Sequence, residues 1–228
     1  MTYARAGVDS RHVRNAHRIL AKRLESTFRT RKGKVGWPAF PIGHYAGLVD
    51  LDHGRVLGLH TDSVGTKVLV AQMMRKYDTI GIDCVAMCAN DLICTGAEPM
   101  SFLDYIAMSR PDPSIVEEVA VGLVAGAKES GMAIVGGETA IVPELLAEKG
   151  GLDLVGFAAG ICRKKDLILG DKVEKDDCLV GVASSGIHSN GLSLARKVLL
   201  KRFRLRDRPA GLERTLGEEL LEPTRIYV

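Results

Sequence analysis

The sequence predicts an α/β protein of the α+β type, with helices packed on a sheet, and three observations carry that prediction. Short apolar runs at 55–60, 100–108, 132–135 and 153–162 have strand length. The segment 114–130 instead repeats apolar residues every three to four positions, as a helix lying on a sheet does. Glycine also stands beside an acid or hydroxyl residue where strands end, at 62–66 and 136–139.

Composition narrows the class. A chain of 228 residues, 46% hydrophobic and 26% charged, has ample material for a core and reads as soluble and globular. A net charge of +3 is too small to argue for nucleic acid. No apolar run approaches the ~20 residues of a membrane span. The amino terminus carries Arg5, Arg11 and Arg14 without an apolar core region, so it is not a secretory signal. The five cysteines include no C-x-x-C pair, and Cys84, Cys88 and Cys94 fall in one predicted helix. They read as small apolar fillers in a reducing compartment. The expectation is a cytoplasmic protein without nucleic-acid or membrane partners.

In chain order, residues 1–9 read as an extended arm. Asp9 or Ser10 caps a helix over 11–27, with Val13, Ala16, Leu20 and Leu24 along one stripe. The Gly-, Pro- and Lys-rich segment 30–47 reads as a loop. A strand over 55–60 runs into Asp62, Gly65, Thr66 and Lys67. A carboxylate at a strand end, a glycine turn and Thr-Lys are what a magnesium–triphosphate site needs, for cation, phosphate approach and charge neutralisation. A hairpin turn with a surface lysine accounts for that motif equally well.

The stretch 81–99, GIDCVAMCANDLICTGAEP, predicts a helix over 84–94 capped by Asp83 and closed by Gly96 and Pro99. Asn90-Asp91 is anomalous in this apolar segment: Asp91 must face water or a cation. A strand over 100–108 contains Asp104. Ser114 and Glu117 form a capping box opening the helix to about Ser130, closed by Gly131. The strand 132–135 delivers Gly136, Gly137, Glu138 and Thr139 at its carboxyl end.

Asp62, Asp91 and Glu138 thus each stand in a glycine-containing context, suggesting carboxylates gathered round magnesium, although turns collect Asp and Gly routinely. After the strand 153–162, the polar run 163–177 reads as a linker. A new strand over 178–183 ends in Ser184-Ser185-Gly186-Ile187-His188-Ser189-Asn190-Gly191, before a helix over 192–203 and a tail. Strand, small-residue loop and helix amino terminus make a candidate anion site; a structural Ser/Asn cap explains the same residues.

Together, YARAGVD (3–9), HTDSVGTK (60–67), DTIGID (78–83), ND (90–91) with GAEP (96–99), GGETA (136–140), SSGIHSNG (184–191) and PTRIYV (223–228) closely resemble the phosphoribosylformylglycinamidine cyclo-ligase family. The D-x4-G-A-x-P pattern belongs to a wider superfamily of ATP-using enzymes; the arm, DTIGID and the SSG-x-HSNG loop narrow it to the cyclo-ligases. This chain has Ser63 where the family has glycine, and fewer glycines at 43–47.

The resemblance implies a mixed sheet that pairs across a homodimer, ATP near that interface, and ring closure of formylglycinamidine ribonucleotide through phosphorylation of its formyl oxygen. It implies magnesium on Asp62, Asp91 and Glu138, with Gly65, Thr66, Lys67, Asn90, Gly137 and Thr139 toward ATP. Ser185, Gly186, His188, Ser189 and Asn190 fall to the substrate, with Lys67 and His188 as catalytic candidates. The division implied is 1–168 for the ATP-binding and dimerisation domain, and 169–228 for the start of a substrate domain. Family members continue further, and 176–228 cannot bury a core alone, so a truncated form or a remainder on another chain is expected. Formylglycinamidine ribonucleotide synthase, thiamine-phosphate kinase, hydrogenase maturation factor and a non-catalytic ATP-binding module are the alternatives. Selenophosphate synthetase is disfavoured, because its reactive amino-terminal cysteine is missing and the first cysteine is Cys84.

Overall fold

The computed structural model describes residues 10–146 and 151–228. Six strands form one mixed sheet in the order β1-β2-β3-β6-β4-β5: Trp37–Pro38, Gly47–Asp50, Arg55–Ser63, Leu152–Arg163, Glu98–Met108 and Ala133–Ile141. All pairs are antiparallel except β4 with β5. The helices are α1 Ser10–Leu24, α2 Lys67–Met74, α3 Ile80–Ile93, α4 Pro113–Glu129, α5 Leu192–Leu199 and α6 Leu216–Leu220.

The core lies between one sheet face and the α3–α4 pair. Val56, Phe102, Leu154 and Ala158 from the strands meet Ile80, Val85, Cys88 and Leu92 from α3, with Val119 and Leu123 from α4 behind them. The two helices touch through glycine: a Cβ on Gly81 would stand 2.3 Å from the Leu123 backbone nitrogen, and one on Gly122 2.3 Å from the Asp78 carbonyl. Backbones this close leave no room for any side chain. The opposite sheet face is open, with Leu103, Tyr105 and Phe157 between 36 and 39% exposed.

Several boundaries differ from expectation. The arm 1–9, with Asp9, lies outside the described residues. The stripe on α1 is uncovered, since Val13, Leu20 and Leu24 are exposed. The segment 30–47 is not all loop, because β1 lies within it. Helix α3 begins at Ile80, so Asp83 is inside the helix and not its cap. The cap of α4 is Asp112, whose carboxylate accepts from the N–H groups of Ser114 and Ile115, with Pro113 at the first helical position. That arrangement displaces the expected Ser114 box by fixing the turn two residues earlier.

Strand β5 runs on through Gly136–Thr139, because parallel pairing with β4 continues to Ile141. Cys94 is exposed, whereas Cys84 and Cys88 are buried as expected. The strand expected over 178–183 is absent: the segment pairs with no strand, and Leu179 and Val180 are exposed. A β-sequence without a partner ladder has nothing to pair with. Helix α6, opened by a Thr215–Glu218 capping box, had read as tail. Gly96 and Gly131 do close their helices with φ of +82° and +70°.

Candidate functional site

Strand pairing settles which acids share a face. Asp62, Gly156, Asp104 and Gly137 lie opposite one another across β3, β6, β4 and β5. A Cβ on Gly156 would meet the Phe102 ring at 2.7 Å and Cys88 Sγ at 2.9 Å, so this row faces α3. Asp91 descends toward the same region from α3. Glu138 lies opposite Tyr105, one residue out of that row, and faces the open side. There it lines a cavity of about 360 Å³ with Thr61, Leu103, Tyr105 and Phe157. The fold brings Asp62 and Asp91 together and leaves Glu138 on the other face. Among the described residues, no three His, Cys, Asp or Glu side chains stand grouped at metal-binding distances.

The Asp62–Asp91 corner is under electrostatic tension. Burial raises the Asp91 pKa above the usual carboxylate value; His60 opposes that shift and Asp62 adds to it. His60 Nε2 stands 3.5 Å from Asp91 Oδ2, while His60 Nδ1 lies 2.6 Å from the Tyr45 carbonyl oxygen. Burial pushes the neighbouring Cys88 thiol up to about 12, so it stays an inert filler. Asp104, also raised by burial, has its carboxyl over Gly137, where a Cβ would come within 2.5 Å of its Oδ1.

A second polar cluster occupies the other end of α3, and here every partner is in place. The Lys67 ammonium is fully buried, 2.9 Å from Asp83 Oδ1, and also donates to the Glu222 carbonyl. Asp83 Oδ1 accepts from the Thr224 N–H at 2.7 Å and the Thr224 hydroxyl at 2.6 Å. Burial pulls the Lys67 pKa down, and Asp83 holds the cation against that pull. Lys67, expected toward nucleotide phosphates, has its ammonium inside the protein.

The segment from Pro223 to Tyr227 forms a strap across α3. Asn90 donates to the Arg225 carbonyl at 2.8 Å and accepts from the Tyr227 N–H at 2.9 Å, so its amide imitates a strand partner. The Ser185 hydroxyl donates to the Pro223 carbonyl. His188, in the left-handed region at φ 60°, accepts at Nε2 from the N–H groups of Ser185 and Arg225, at 3.2 and 3.5 Å. Accepting there leaves Nδ1 as the protonated nitrogen. Burial lowers its pKa, helped by the Lys67 cation and opposed by Asp83.

The loop thus touches the Lys67–Asp83 cluster through the strap. Thr66 and Ser193, at the starts of α2 and α5, share a hydroxyl contact of 3.1 Å, and Ser189 Oγ is buried with no partner. Gly65 turns the chain between β3 and α2 at φ +64°. Gly186 stands against Glu222, Asn190 is exposed, and Thr139 is exposed on β5. Sequence reasoning missed His60, Thr224 and the structural role of Asp83. Asp83 four residues into an apolar helix was a readable burial signal; Thr224 carried no local one.

Residues 43–162 match the AIR synthase related protein N-terminal domain, and residues 174–228 its C-terminal domain. A Pyrococcus furiosus protein named phosphoribosylformylglycinamidine cyclo-ligase is 51% identical over all of this chain and 66% of its own length. The Methanobrevibacter smithii protein of the same name is 44% identical, with 65% of its length covered. This chain therefore spans about two thirds of the length of these relatives.

Among solved structures, AaThiL complexed with AMPPCP and TMP has a TM-score of 0.54 at 20% identity, covering 88% of this chain and 58% of that one. Thiamine-monophosphate kinase from Stenotrophomonas maltophilia gives 0.51 at 20%, covering 87% and 60%. These likenesses show a shared fold. The chain belongs to the AIR synthase related family.

Proposed function

We propose that this chain carries the nucleotide half, and the start of the substrate half, of an ATP- and magnesium-dependent cyclo-ligase of purine biosynthesis. The reaction is ring closure of formylglycinamidine ribonucleotide to aminoimidazole ribonucleotide. The observation that carries the reading is the 51% identity over all of this chain to a protein of that name. The half-buried Asp62–Asp91 corner, short of cationic partners, suits a hard cation.

In this reading Asp62 and Asp91 hold magnesium, which when bound neutralises phosphate oxygens. Gly65 and Thr66 at the start of α2 receive the phosphates through backbone N–H groups. Gly137 and Thr139, on the α3 side of β5, serve the same nucleotide, while Glu138 faces the open side of the sheet. Lys67 holds the α2 start through Asp83 and reaches a phosphate only when Pro223–Tyr227 lifts. Asn90 positions that strap against α3. Ser185, Gly186, Ser189 and Asn190 hold the substrate, and His188 donates to it from Nδ1 as a neutral imidazole. The formyl amide oxygen takes the ATP γ-phosphoryl group, an amidine nitrogen attacks the activated carbon, and phosphate departs. Positioning and charge stabilisation do most of this work.

The same reading divides the chain at 168/169, sets it in the cytoplasm, and pairs two copies through the open face around Leu103, Tyr105 and Phe157. No helix among the described residues is long and apolar enough to cross a membrane. A second reading, an ATP-binding module without turnover, draws on the Lys67 ammonium, which is buried against Asp83 and away from any phosphate. Incubation with magnesium-ATP and formylglycinamidine ribonucleotide separates the two. ADP and aminoimidazole ribonucleotide are the expected products; nucleotide binding without them supports the module, and no nucleotide binding sinks both.

A further inference from the structure

The open face of the sheet ends in a cluster of cations. Arg55, the first residue of β3, lies directly opposite Arg163, the last of β6, in the antiparallel ladder. Val56, beside Arg55, is buried under α3, so strand alternation turns both arginines to the open face. Like charges set directly opposite each other on one face destabilise a strand pair. Lys164 and Lys165 continue the cluster from a one-turn 3₁₀ helix, Lys164–Asp166, and His53 joins it from the β2–β3 turn.

Nearby acids answer only part of this charge. Arg163 Nε donates to Asp166, and Lys164 Nζ donates to Asp50 at 2.8 Å. Among the described residues, Arg55 and Lys165 have no acidic partner. Two hollows share Arg55 and Arg163 in their walls. One, of about 400 Å³, includes Glu98 and Asp166; the other, of about 660 Å³, is lined by His53, Gly54, the two arginines and the two lysines, without an acid. Opposed guanidinium forks beside an ammonium match an anion with several phosphate oxygens, which each fork can grip through paired N–H groups. No Phe, Tyr or Trp lines either hollow to stack a base, which argues against a nucleic-acid strand.

We propose that the Arg55–Arg163 hollow binds a small anion carrying two or more linked phosphates, either a free polyphosphate or the phosphate tail of a nucleotide. Arg55 lies seven residues along β3 from Asp62, about 23 Å away, so this site is separate from the Asp62–Asp91 corner.

The test is calorimetric titration of pyrophosphate into the 228-residue chain, in EDTA and at low salt. Wild type is expected to bind one pyrophosphate, and Arg55→Gln to bind it about tenfold more weakly. Lys165→Gln, on an exposed turn, should also weaken binding while leaving the melting temperature unchanged. In phosphate-free buffer Arg55→Gln should melt at or above the wild-type temperature, because one of two opposed cations is gone. ADP titrated in the same way separates the sources. Affinity equal to that of pyrophosphate, and lost in Arg55→Gln, assigns the site to nucleotide tails; much weaker ADP binding assigns it to free polyphosphate. No pyrophosphate binding by wild type, or binding that both variants keep, overturns the proposal. An Arg55→Gln chain that melts well below wild type overturns it as well, since the arginine would then be a structural tie.

Discussion

Two aspartates two turns apart on α3 have opposite surroundings. Asp83 is fully buried, and its Oδ1 collects a lysine ammonium, a backbone N–H and a hydroxyl. Asp91 is half-buried, faces an imidazole at 3.5 Å, and has another carboxylate beside it. The first carboxylate is matched by permanent partners and ties helix, lysine and strap together. The second has its charge disfavoured and its neighbours arranged so that a cation from outside would relieve them. The same residue on the same helix is a structural tie in one place and, in the proposed reading, a binding group in the other, and the number of internal partners separates the two.

Breaking the saturated end should cost most. Lys67→Ala leaves Asp83 charged and sealed, and should destabilise by about 3–5 kcal/mol in denaturant titration. Lys67→Met with Asp83→Leu should recover most of that loss; failure to recover would mean that the strap depends on the charges themselves. Gly81→Ala, which shifts the helix presenting both aspartates, should cost about 1–3 kcal/mol, read as a lowered melting temperature. A neutral outcome would mean that α3 and α4 are not in the contact described.

The smallest effect is a pH dependence of the strap. His188 has its folded pKa below the ordinary 6.5, so the unfolded chain takes up the proton first on acidification. Its contribution is complete above about 6.5 and is lost as pH falls through the folded value. Protonated Nε2 cannot accept from Ser185 and Arg225. Amide exchange over 223–227, corrected for intrinsic rates, should quicken between pH 7.5 and 5. Unchanged protection would place His188 outside the strap's support.

The periodicity of 114–130 and the glycines at 96 and 131 made α4 and two helix ends legible in the sequence. Helix α3 was legible as a helix, but not the fate of its polar residues. Asp83 read as a cap because a cap and a buried ion pair look alike in sequence; Thr224, 141 residues away, distinguishes them. Asp62 and Asp91 were legible as acids near glycine, and their proximity depends on register. The same register puts Glu138 on the opposite face, since a strand reverses direction at each residue and the length of β5 was misjudged. Residues 178–183 have the composition of a strand, but a strand exists only with a neighbour.

The most direct test is titration of magnesium with AMPPCP into wild type and Asp91→Asn, with melting temperatures measured metal-free. The account predicts that Asp91→Asn melts at or slightly above the wild-type temperature, because burial already favours the neutral form, and loses at least about tenfold in nucleotide affinity. Unchanged affinity in Asp91→Asn would remove Asp91 from the cation site and leave α3 with no functional carboxylate.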